Sequence, residues 1–128
     1  MLQPDIEIYI KNTSINAIRD WLSATFEAVE EGQHRGHSYR FQVFHEGQGI
    51  PVMVVEKAAG KSFTSVWFDS SATPWNDDLS CARDAHRQLE RPVRCNGGFW
   101  EDGSEAMDTW VEVSEQGEQL IEWAQTES

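Results

Sequence analysis

The strongest constraint on this fold lies between residues 39 and 70, where three strand-like runs follow one another with only short turns between them. Tyr39, Phe41 and Val43 alternate with Arg40 and Gln42. Ile50 to Lys57 (IPVMVVEK) is β-branched and almost wholly apolar, as a central strand should be, with Pro51 tolerated near its start. Ser62 to Ser70 (SFTSVWFDS) sets Thr64, Val66 and Phe68 on one side and Phe63 and Trp67 on the other. Glu46-Gly47-Gln48-Gly49 and Ala58 to Lys61 supply the turns. Consecutive strands so joined form a largely antiparallel sheet.

Helical patterns flank this block. Ser14 can cap a helix whose stripe is Ile15, Ile18, Leu22, Phe26 and Val29, ending in the polar EEGQHRGH stretch with Gly32 and Gly36. A second helix is expected to start at Thr73-Pro74 and to turn Trp75, Leu79, Ala82, Ala85 or His86, and Leu89 inward. Ile6 to Ile10 (IEIYI) reads as a leading strand, Pro92 to Cys95 as a short one, and Thr109 to Val113 as another. Residues 114–125 are either a helix capped by Ser114 or a strand turning back on TWVEV; propensity tilts the reading towards the helix, despite Gly117.

The expected architecture is therefore α+β: a two-layer sandwich of a mostly antiparallel, five- or six-stranded sheet and two main helices. Its element order is ferredoxin-like with additions, an analogy that carries no function. At 128 residues, with 39% apolar content and six tryptophans, residues 1–128 fit one domain with its own core. No window resembles a membrane span, and the N-terminus lacks signal-peptide features, so the expected address is the cytoplasm. Cys81 and Cys95 lack CxxC spacing and read as small buried hydrophobes.

Charge narrows the function classes. Lys and Arg total 10 against 22 Asp and Glu, a net −12, and from Asn96 onward there are nine acidic residues and no basic one. Such a surface repels phosphate backbones, which argues against nucleic acid, and attracts a basic protein or a cation. No GxSxG, HExxH or GxxxxGK[ST] motif is present. His34, His37 and His45 fall in a solvated connection and a strand rather than in a ligand pattern. The carboxylates from Glu101 do not match a calcium loop. Nothing in the sequence calls for a cofactor or a metal.

What remains is the segment RCNGGFWEDGSEAMDTW, rich in glycine, aromatics and acids. Tryptophans on loops serve either as anchors or as recognition residues. The candidate binding set is Trp100, Glu101, Asp102, Glu105, Asp108 and Trp110. The leading expectation is a non-catalytic interaction protein that holds a basic partner, for example as an antidote or adaptor. The competing one is a small-ligand binder or enzyme with a pocket between sheet and helices, lined by Trp67, Trp75, His86 and Cys95. Because two helices cannot cover both faces of such a sheet, a homodimer contact through the bare face is also expected.

Overall fold

A computed structural model describes residues 5–96 and 109–123. The elements run β1 (Ile6–Lys11), α1 (Ile15–Thr25), β2 (Ala28–Arg35), β3 (Ser38–His45), β4 (Gln48–Val55), β5 (Phe63–Phe68), α2 (Asp78–Leu89), β6 (Val93–Asn96), β7 (Thr109–Ser114) and β8 (Gly117–Glu122). All eight strands form one sheet in the order β2-β3-β4-β5-β1-β6-β7-β8, with every neighbouring pair antiparallel. The α+β class stands. The expected five or six strands become eight, and the order is not ferredoxin-like.

Topology explains the difference. β1 lies inside the sheet, hydrogen-bonded to β5 on one side and β6 on the other. Helix α1 carries the chain out to the β2 edge, and the meander β2 to β5 walks back to β1. Helix α2 then crosses β1, and the meander β6 to β8 walks outward to the opposite edge. Two meanders thus flank a central strand.

Alternation decides which side chains meet the helices. Ile6, Ile8 and Ile10 of β1 are at most 1% exposed, and they join Val43, Val54, Val66, Phe68, Val93 and Val111 in one layer. Ile18, Trp21 and Leu22 of α1 and Leu79, Cys81, Ala82 and Ala85 of α2 close it from above. Trp75 packs against Trp21, Phe26 and Phe68 at centroid distances of 5.2 to 5.8 Å. These edge-on and tilted ring contacts add to the burial of large apolar area.

Three local expectations change. α1 ends at Thr25, and Ala28–Arg35 pairs with β3 instead of continuing a helix or forming a loop. Only Val29 of that strand is partly buried, so no apolar pattern marked it; the exposed edge of β3 recruited it, with Gly36 (φ +60°) making the turn. α2 begins at Asp78, not Thr73, because Asp77 accepts the Ser80 N–H at 2.8 Å, and buried Trp75 anchors the bends that precede it. The 114–125 segment is a strand rather than the favoured helix: Gly117 adopts φ +104°, closing a two-residue hairpin that pairs β8 on β7.

Candidate functional site

β7 shows how the alternation builds the C-terminal end. Val111 and Val113 point into the helix-covered core, so Trp110 and Glu112 project from the opposite, helix-free face. Cross-strand register puts Tyr9 beside Arg94, Arg94 beside Glu112, and Trp110 beside Ile121 on that same face. Trp110 meets Tyr9 edge-on at 5.6 Å and Trp123 at 5.1 Å, while Phe63 lies 4.6 Å from Trp123. The Arg94 guanidinium sits 4.7 Å from the Phe63 ring and 4.6 Å from the Trp123 ring, and its Nε donates to Glu112 at 2.8 Å.

A cation held between two aromatic rings and a carboxylate, with both charged side chains four-fifths buried, is a strong local clamp. It fixes the β7–β8 hairpin against β1, β5 and β6. Trp110 is only 8% exposed and works inside this cluster. The other candidates from the sequence, Trp100, Glu101, Asp102, Glu105 and Asp108, lie outside the described residues.

β8 is what the clamp presents. It is the last strand of the sheet, and every residue from Gly117 to Leu120 is exposed, as is Glu122. Leu120 is the one large apolar side chain classed as exposed among the described residues, at 40%. Glu115, Glu118 and Glu122 surround it, and Arg83 of α2 reaches over to hold Glu118 in a bidentate pair, with Nη2 donating at 3.0 Å. That hydrogen bond holds the Glu118 carboxyl below its ordinary range. The edge is thus acidic, apolar at its middle and braced from behind.

The residues of the competing expectation do not line one cavity. Trp75 is buried on the helix side, whereas Trp67 faces away from the helices and donates its indole N–H to Asp5 at 2.7 Å. His86 hydrogen-bonds to the Arg91 carbonyl at 2.8 Å. Cys81 and Cys95 are fully buried, and desolvation pushes both thiols up, away from the nucleophilic thiolate. His34 stacks on Tyr39 at 4.0 Å, while His37 and His45 each approach a different glutamate. Among the described residues no group of three or more His, Cys, Asp or Glu is placed to hold a metal. No helix among them is long and apolar enough to cross a membrane.

One titratable group does stand out. Asp78, 7% exposed at the start of α2, accepts the Glu7 backbone N–H at 3.2 Å. Burial, with Asp5, Glu7 and Asp77 nearby, pushes its carboxyl up to about 6. On the helix-free face a depression of about 320 Å³ runs over β2 to β5, with Trp67, Met53 and Arg40 among its walls. Sequence patterns did not single out Arg94, Trp123, Leu120 or this depression. Reading 117–122 as a strand would have put Trp110 and Trp123 on one face and exposed the acidic edge. No protein-family model, curated protein or solved structure matches the chain.

Proposed function

We propose that this chain is a non-catalytic protein-interaction module that holds a basic partner through its acidic C-terminal surface, as an antidote or adaptor for that partner would. One observation carries the reading: β8, an outermost strand, sets exposed Leu120 among glutamates on a hairpin clamped by Arg94 and braced by Arg83. An extended partner segment can add a strand to such an edge. Main-chain hydrogen bonds then supply affinity, and alternate side chains supply selectivity. Basic residues on that segment complement Glu115 and Glu122, and an apolar one covers Leu120. The lack of basic residues from Asn96 onward gives the last quarter of the sequence the same electrostatic preference.

The reading is tested by titrating the ¹⁵N-labelled protein with basic proteins, small nucleases among them, and following amide shifts at low and high salt. Shifts centred on residues 117–122 and affinity that falls steeply with salt are expected. Binding indifferent to ionic strength, or shifts confined to the helices, would count against it. Leu120→Lys should weaken binding roughly tenfold or more while leaving the fold intact, because the side chain is already exposed.

A further inference from the structure

Both helices pack on one side of the sheet; on the other, Trp110 and Trp123 cover Tyr9 and Phe63, and no described element covers β2 to β4 or the Trp67 end of β5. An antiparallel sheet with one wet face is expected to show polar residues there. Beside Ser38, Arg40 and Gln42, this one also shows Phe44, Pro51, Met53, Val55 and Trp67, all partly or fully exposed. Met53 lies at the centre of a cross-strand ladder, with Arg40 paired on one side and Trp67 on the other.

We infer that this helix-free face over β1 to β5 is the contact by which two copies of the chain stack sheet to sheet. Charge favours a second copy as the occupant. The chain carries −12, yet this part of the surface holds four acids (Asp5, Glu7, Glu30 and Asp69) against three bases (Lys11, Arg35 and Arg40), only −1. Stacking two such faces buries a nearly neutral region and leaves the acidic β8 edge outward. Arg40, Glu30 and Asp69 all line the depression over β2 to β5. A two-fold axis through it lets each copy's arginine approach the other's acidic rim, as an isologous contact requires.

Size agrees with a modest dimer. Five strands at ~4.8 Å spacing, the longest eight residues at ~3.3 Å each, present roughly 600 Å² per copy. Burying that whole face in both copies would remove at most about 1,200 Å² in total, the lower limit of standard stable interfaces. Twist limits the contact to the central strands, so the association belongs in the micromolar range.

Sedimentation equilibrium of the full chain, from low to several hundred micromolar, tests the inference. A reversible monomer–dimer equilibrium is expected. Met53→Glu should raise its dissociation constant roughly tenfold or more, and Leu120→Glu, on the β8 edge, should leave it unchanged. Arg40→Glu should weaken it too; because Arg40 is already exposed, this variant decides the matter if Met53→Glu fails to fold. A chain that stays monomeric throughout, or a dimer indifferent to a folded Met53→Glu or to Arg40→Glu, would overturn the inference. Salt-dependent capture of a basic protein at β8 uses a different surface, so either result can fail without the other.

Discussion

Asp78 allows a quantitative test of how α2 is seated on β1. The residue is 7% exposed, accepts the Glu7 backbone N–H and sits near three other carboxyls, and the proton is held up to about 6 against an ordinary 3.8. An acid whose pKa is raised on folding binds its proton more tightly in the native state. The stabilisation from that proton is fully present below about pH 4 and is lost as pH rises through about 6. Just over two pKa units correspond to at most about 3 kcal/mol, and relaxation and water penetration reduce this to about 1–2 kcal/mol. Asp78→Asn keeps the acceptor for Glu7 N–H and removes the charge. Urea unfolding at pH 7.5 should show the variant more stable by about 1–2 kcal/mol, with the gain vanishing near pH 4, where the wild-type carboxyl is also neutral. Glu7, likewise raised by burial, is one of the charges that raise Asp78, so its relief in the variant adds in the same direction. A variant that is less stable at pH 7.5, or a difference that does not change with pH, would refute the reasoning. Asp78 would then be hydrated or paired more strongly than its burial implies.

Three further outcomes follow from the packing. Arg94→Ala leaves Glu112 without its guanidinium and empties the slot between Phe63 and Trp123, so it should cost about 2–4 kcal/mol in chemical denaturation and red-shift tryptophan emission. Arg94→Lys should recover part of that loss, since the charge returns without the planar fork. Trp75→Ala removes a 9%-exposed indole from contact with Trp21, Phe26 and Phe68 and should cost about 3–5 kcal/mol by the same assay. Cys81 and Cys95 should resist a thiol reagent in the native protein and react together on unfolding; rapid labelling at neutral pH would contradict their burial.

The sequence was most legible where a periodic apolar pattern coincided with a buried face. Ile6, Ile8 and Ile10 announced β1, and Val52 and Val54 fell into the core as the run around them implied. Ser14 capped its helix as its position suggested, accepting the Ala17 N–H at 3.1 Å. β2 was illegible because an exposed edge strand needs no apolar alternation; Glu30 and Glu31 pair with Gln42 and Phe41 through backbone alone. β8 was illegible for the same reason, and local helix propensity pointed the other way. Of the candidate site, Trp110 was noticed for its position in an acidic, aromatic stretch, but its partners Tyr9, Arg94 and Trp123 are far apart in the chain and meet only through register.

The amino-acid order alone therefore determined the α+β class, the central strands, the two amphipathic helices and the acidic character of the last quarter. Each depends on local spacing or on a simple sum of charges. Tertiary structure decided how many strands the sheet has, which face the helices leave bare, and that a cation clamped among aromatics holds out an acidic edge around Leu120. Those features arise where backbone hydrogen bonds recruit weakly patterned segments and cross-strand register joins residues that the sequence keeps apart.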